Sequence, residues 1–341
     1  MKIFVVSTRA PASLTDSYLN AMESLGIEFD IFNVSAAALN FAQLGRFGRK
    51  VHEFLPVQAW TKKGNRELAV AAFKAKPDIV MVFGNMRVNV GVLAYLKAAT
   101  GCKVVWVWPD TLLNLEQWVL QCAGVIDYFA SYSSTSMSVL HEIGYPRVEF
   151  VPLAADKKVH YRPATTEEQH FTADLSFVGG CRPERERALA AIVDAFPQLN
   201  VKIYGPTADW KRHCKNPQVL AKIAGGGLYG QAFSEVIATS RINLNVIDDT
   251  NYPAANMRFF EIPVAGGLQL VSPCPEMHDL YRHREHLLYF NNPDEMLENV
   301  RWAIDNPDAT AKIRAQGQAL TLASNTYEHR LQSIIDSLVK Q

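Results

Sequence analysis

Residues 256–272, NMRFFEIPVAGGLQLVS, set Arg258 and Glu261 inside a run that is otherwise largely apolar. On a helix, Met257, Phe260 and Val264 fall at i, i+3 and i+7 and make an apolar stripe; Glu261, at i+4, lies within it. A carboxylate buried there without a partner is costly in its charged form and is driven toward protonation. Two arrangements relieve the cost. Glu261 can pair with Arg258 one turn back, a spacing that helices allow. Alternatively, the stripe faces a ligand cavity: Glu261 accepts hydrogen bonds from ligand hydroxyls, while Asn256, Arg258 and the first backbone N–H groups meet a phosphate. On this segment alone both stay open. Pro263 predicts a short or kinked helix.

Other chemical signals are weaker. GGGLYG (225–230) fits a dinucleotide fingerprint, with Asp248 and Asp249 downstream as ribose-binding acids. That fingerprint belongs on a domain's first strand, so a glycine-rich turn is the stronger reading. YRHREH (281–286) would put His283 and His286 on one face if helical, but no third metal ligand stands at a suitable spacing. A solvated, partly basic loop is the simpler account. There is no H-E-x-x-H, no P-loop and no D-x-D, so no metal site and no resident cofactor are expected. Cys181, in VGGCRPERER, has a helix start and arginines nearby, the setting of a reactive thiol, but reads better as a loop residue.

The elements that would position these residues alternate strand and helix. The first half reads as strands 2–7, 27–34, 78–84, 103–108, 125–132 and 148–153. Helices are expected over 15–26, 65–76, 88–100 and 133–144, Thr15 capping the first and Pro77 stopping the second. After a polar stretch the pattern restarts with strands 173–180, 200–205, 241–247, 268–272 and 286–290 and helices 186–196 and 234–240; it closes on helices 293–306, 307–323 and 326–340. In strand 241–247, Ile242, Leu244 and Val246 share one face and Asn243 and Asn245 the other. Such an order predicts parallel sheets covered on both faces: an α/β chain of two Rossmann-like, doubly wound domains facing across a cleft. Ligands in such sheets sit beyond the carboxyl ends of the strands. That selects the loops Ser7-Thr8-Arg9, 84–87, Pro109-Asp110, 179–182 and Gly205-Pro206.

The totals agree. At roughly 150 residues per domain, 341 residues suggest two domains. Lys+Arg and Asp+Glu stand at 34 each, so there is no broad basic field for nucleic acid, although a local patch stays open. Five scattered cysteines without a C-x-x-C pair point to free thiols in a reducing compartment. The short apolar start reads as a strand, and no run is long enough to span a membrane, so the expected location is the cytoplasm.

Segments 177–189, 202–205, 240–246, 256–272, 287–318 and 326–335, in that order, resemble the CgeB-like glycosyltransferases of the glycosyl transferase family 1 group, which have the GT-B fold. They cover about half the chain, and the pairing of RINLN with NMRFFEIPVAGG is the most specific part. The resemblance implies an acceptor-side domain over 1–156, a linker over 157–172, a nucleotide-sugar donor domain over 173–325 and a last helix, 326–341, that returns to the first domain. It implies a nucleoside-diphosphate sugar as co-substrate, a UDP-sugar foremost, with the acceptor unidentified. Glu261 would meet the donor ribose. Gly179, Gly180, Arg182, Arg185, Asn245, Asn256, Arg258 and Gly266 would complete the donor site. Many retaining relatives carry a second glutamate where this chain has Pro253, so Asp248 or Asp249 would replace it. If the enzyme inverts, Asp110 or Asp16 is the candidate base, Asp110 serving equally well as the cap of segment 111–120. The rival readings are a sugar-nucleotide epimerase or NAD-dependent enzyme of similar architecture, and a non-catalytic two-domain binding or scaffold protein.

Overall fold

The computed structural model describes all residues except 11–12, 42–44, 55–56, 165–169 and 340–341. The chain divides into two units, Met1–Pro152 with Arg330–Gln341, and Leu153–His329.

The first unit is built on β1 (Lys2–Val6), β2 (Glu28–Phe32), β3 (Ile79–Phe83), β4 (Lys103–Trp108), β5 (Tyr128–Ser131) and β6 (Val148–Phe150), in the order β2-β1-β3-β4-β5-β6, all parallel. β1, β3 and β4 are buried nearly end to end, as continuous Val/Ile/Phe runs covered on both faces require. The helix after β1 starts at Leu14 and is capped by Ser13, not Thr15; Thr15 instead lies 2.6 Å from the Ser7 hydroxyl. The polar, glycine-containing stretch before residue 65 contains helices Val34–Leu39 and Gly45–Phe54, and the next helix already begins at Gln58 and runs to Ala75. Gly64, inside that helix, marks a close contact: a Cβ there would lie 2.7 Å from the Ala38 nitrogen.

The second unit carries β7 (Ala173–Val178), β8 (Val201–Tyr204), β9 (Ile223–Gly225), β10 (Ser240–Asn245), β11 (Gln269–Val271) and β12 (Leu288–Tyr289), ordered β12-β11-β10-β7-β8-β9 and again parallel. The chain builds outward from β7 to β9, then returns to β7's other side and builds outward to β12. The reversal between β7 and β10 opens a crevice at the carboxyl ends of those strands. Ile242, Leu244 and Val246 join one core with Leu175, Phe177 and Ile203. The opposite face is buried too. There the Ser176 hydroxyl donates to Asn243 at 2.7 Å, and the Asn243 amide donates to the Ile237 and Leu268 carbonyls.

The stretch read as a linker, 157–172, is in its described part a structural piece of the second unit. Asp156 caps the short helix Lys157–His160, and His160 is buried edge-on against Phe233. Its polar composition concealed this, because the one buried side chain among its described residues, His160, is itself polar. The unit boundaries fall after Pro152 and after His329, a few residues from the 156 and 326 read from sequence. Among the described residues no helix is long and apolar enough to cross a membrane.

Candidate functional site

A pocket of about 250 Å³ lies at the β7/β10 reversal. Its floor is Ser176–Gly179 and Leu244–Val246, and its walls come from helix Gly230–Ala238 through Phe233 and Ile237 and from helix Met257–Val264 through Met257, Arg258 and Ile262. Arg185, from helix Pro183–Ala195, closes one side.

Local packing explains why these groups meet. Gly205 ends β8 without a side chain because a Cβ there would lie 2.1 Å from the Gly179 carbonyl. The backbones after β7 and β8 can therefore touch, and Trp210 Nε1 donates to the same Gly179 carbonyl at 2.9 Å. Asp209 accepts from the Cys181 N–H at 2.9 Å. The 179–181 turn is thus held from below, and its neighbour Arg185 is held across it. Arg185 donates to the carbonyls of Val246 and Gly180 and pairs with Asp248 at 3.0 Å. Burial, with Arg258 and Arg182 adding like charge, pulls its pKa below the ordinary arginine value.

Helix Met257–Val264 is capped by Asn256, whose side-chain Oδ1 accepts from the Phe259 N–H at 3.0 Å. The Asn256 and Asn245 amides exchange reciprocal hydrogen bonds at 3.1 and 2.9 Å, and Asn245 also donates to Gln269 at 2.9 Å. This amide ladder ties the helix start to β10. Arg258 lies with its guanidinium 4.3 Å from the Phe233 ring centroid and donates to Glu261. Glu261 is only 2% exposed, and His160 Nε2 stands 3.8 Å from its other oxygen. The carboxylate is therefore held behind Arg258 and is absent from the pocket lining. The lining carries two guanidinium groups and no carboxylate; their partners Asp248 and Glu261 stand outside it, so the wall itself presents the chemistry suited to an anion.

A second cavity, about 730 Å³, adjoins through Arg185 and is lined by Gly180, Cys181, Arg182 and Asp209 among others.

Residues 182–336 match a family model described as glycosyl transferase-like. No curated protein matches the sequence. Solved structures do. HepE of Anabaena, crystallised with UDP-glucose, superposes with a TM-score of 0.65 at 12% identity over 100% of both chains. A glycosyltransferase from Rickettsia africae gives 0.69 at 12% identity over 98% of this chain and 97% of that one. Sucrose-phosphate synthase from Thermosynechococcus elongatus gives 0.69 at 11% identity over 99% and 98%. The fold is that of the GT-B glycosyltransferases.

Within this GT-B frame the sequence-derived residues separate into groups. Gly179, Arg185, Asn245, Asn256 and Arg258 converge on the β7/β10 pocket. Gly180 and exposed Arg182 line the adjoining cavity instead. Asp248 accepts from Arg185, Thr250 and Asn251, so it anchors a loop; Asp249 is exposed and lines neither cavity. Gly266 has a left-handed φ of +74° and packs on the Ala164 backbone, a turn role away from the pocket. In the first unit, Asp110 accepts from the Thr111 N–H at 2.8 Å and from the Asn114 side-chain amide at 2.7 Å, while Thr111, not Asp110, caps the short turn Leu112–Asn114. Asp16 pairs with Arg9 at 3.0 Å.

The minor signals resolve as structure. GGGLYG begins on the last residue of β9, the outermost strand and not the first strand of the unit, and leads into helix Gly230–Ala238, so it does not have the placement of a dinucleotide fingerprint. His283 and His286 do not share a helix face: each ring accepts a backbone N–H, from Tyr289 and Arg282 respectively. Among the described residues no group of side chains has the makings of a metal site. All five cysteines are free and buried, and burial, the largest cause, pushes the Cys181 thiol up to about 11, which is no setting for a nucleophile. Sequence reasoning missed His160 and Phe233, the residues that seat Glu261 and Arg258. Their only trace was a histidine within a polar stretch and an apolar residue in a helix.

Proposed function

We propose that the chain is a glycosyltransferase that moves a sugar from a nucleoside-diphosphate sugar, a UDP-sugar foremost, to a hydroxyl acceptor, without a metal. The observation that carries this is the β7/β10 pocket: two guanidiniums and no carboxylate on its wall, at the strand-order reversal of a sheet whose sequence matches a glycosyl transferase-like model. Structural neighbours crystallised with UDP and with UDP-glucose support the same donor. A departing nucleoside diphosphate gains negative charge in the transition state, and Arg185 and Arg258 are fixed beforehand to receive it. The start of helix Met257–Val264 adds its dipole. Glu261 acts in this reading by holding Arg258 toward the pocket, or by accepting from the donor ribose once Arg258 turns to phosphate. Asp110, beyond the end of β4, is the proposed base for an inverting reaction. Five free, buried thiols suit a reducing compartment such as the cytoplasm.

The test is a thermal-shift series with UDP, GDP, ADP and NAD, followed by product analysis with UDP-sugars and candidate acceptors. A nucleoside diphosphate at about 100 times its Kd adds about 2.7 kcal/mol of stability. Arg185→Gln is expected to weaken binding roughly tenfold while the protein stays folded, because Asp248 keeps its other donors. Absence of any diphosphate shift, or nicotinamide reduction without sugar transfer, defeats the reading.

A further inference from the structure

The first unit has its own built cavity, about 440 Å³, near the carboxyl end of its sheet. Its walls are the first turns of helix Gln58–Ala75, the 87–89 loop that follows β3, and Trp118 and Gln121 from the region after β4. Lys62, Arg66 and Arg87 line it, and no Asp or Glu does. Among the described residues none of these three cations is in an ion pair. Three positive charges on one concave wall repel one another, and a chain with equal numbers of acids and bases has placed none of its acids there to relieve them.

The cavity is also rigid. Asn65 is 2% exposed and spends its amide on both walls: Nδ2 donates to the Thr61 and Arg87 carbonyls at 2.9 Å each, and Oδ1 accepts from the Asn89 N–H at 2.7 Å. A buried amide satisfied in this way fixes the 87–89 loop against the helix. Arg87 is half-buried, its guanidinium 5.1 Å from the Trp118 ring centroid, and Nη1 makes a long 3.4 Å bond to the His52 carbonyl. Among the described residues that carbonyl is its one protein acceptor. Asn89 caps helix Val90–Thr100, so the positive end of an eleven-residue helix opens on the same space. The volume exceeds what a bare phosphate needs and suits a monosaccharide carrying one, with amide and hydroxyl groups of Gln58, Thr61 and Gln121 available to its hydroxyls.

We infer that this cavity binds the acidic group of the acceptor, so that the acceptor is a sugar bearing a phosphate or a carboxylate, with Arg87 as the specificity-determining contact. The inference rests on the transferase reading above. Arg87 offers a planar fork suited to either anion, and Lys62 and Arg66 add charge from the exposed rim.

The experiment is calorimetric titration of the full-length protein with glucose 6-phosphate, glucuronate and glucose, with UDP titrated in parallel. At least one acid is expected to bind ten or more times tighter than glucose and to weaken as salt is raised. Whether the phosphate or the carboxylate binds tells the two sources apart. Arg87→Gln should raise that Kd about tenfold. The double change Lys62→Gln, Arg66→Gln, at exposed positions that cannot upset the core, should raise it several-fold. Both variants should bind UDP as the parent does. Glucose binding as tightly as the acids, no binding of either acid, or variants that keep the parental Kd would overturn the inference. Loss of UDP binding in the parent protein, with the acids still discriminated, would instead defeat the transferase reading alone.

Discussion

Arg258 and Glu261 form an unequal pair: the Arg258 side chain is 27% exposed and the Glu261 side chain 3%. Removing the arginine strands a buried carboxylate whose other ion-pair partner among the described residues is His160 Nε2, at 3.8 Å. Removing the glutamate leaves a guanidinium that reaches water and still lies on Phe233. Arg258→Ala is therefore expected to cost about 3 kcal/mol, the low end for breaking a buried pair, and Glu261→Ala about 1 kcal/mol. Urea denaturation measures both; equal losses would show that Glu261 does not depend on Arg258. The anomaly of an acid among apolar neighbours was visible in the sequence, and so was the i, i+3 pairing. The third partner was not, because His160 comes from a segment about a hundred residues earlier, and nothing in local spacing points to it.

At the scale of elements, the turn from helix Met257–Val264 into β11 packs so closely on β10 and helix Gly230–Ala238 that it admits no side chain. A Cβ on Gly267 would lie 2.5 Å from Ile237 Cγ2 and 2.7 Å from Asn243 Nδ2. Both neighbours are buried and Asn243 is held by hydrogen bonds, so Gly267→Ala is expected to destabilise by about 1–3 kcal/mol through overpacking. A thermal-melt midpoint equal to the parent's would contradict this. The last helix, Tyr327–Val339, is fastened differently. Glu149, in the middle of β6, accepts from Arg147, Tyr128 and Ser337. Burial by itself would raise its pKa, but these partners outweigh it and hold the carboxyl below its ordinary value near 4.5. Its contribution is complete above about pH 4.5 and is lost as pH falls through the lower, folded value. Hydrogen exchange should show the helix around Ser337 losing protection in acid before the core strands do. Glu149→Gln should already show the loosened helix at neutral pH. Uniform protection loss across the first unit would refute the assignment.

At the scale of the whole molecule, two parallel six-stranded sheets and the helices on them bury a large apolar core and, with it, every cysteine. Burial, the largest cause at both, pushes the Cys122 and Cys274 thiols up to about 12. In the folded protein at pH 8, thiol reagents are expected to label none of the five cysteines within minutes, and all five once guanidinium unfolds the chain. One rapidly labelled cysteine under native conditions would mean that its region opens on that timescale.

Strand and helix periodicity, carried by local side-chain alternation, determined the α/β class and the identity of most strands, including the two faces of β10. The helices before residue 65 stayed hidden because Val34–Leu39 is only six residues long, too short to show a period, and Gly45–Phe54 carries two glycines among its polar residues. The candidate pocket residues were legible where they follow a strand or open a helix, as Gly179, Asn245, Asn256 and Arg258 do. Only the tertiary structure decided that Arg185 closes the pocket while Arg182 lines the next cavity, and that Asp248 is spent on an arginine. It alone placed Arg87 beside Trp118. The reason is the same in each case: a charged side chain's role depends on which partner lies within about 4 Å, and in a parallel sheet those partners come from crossovers tens of residues away.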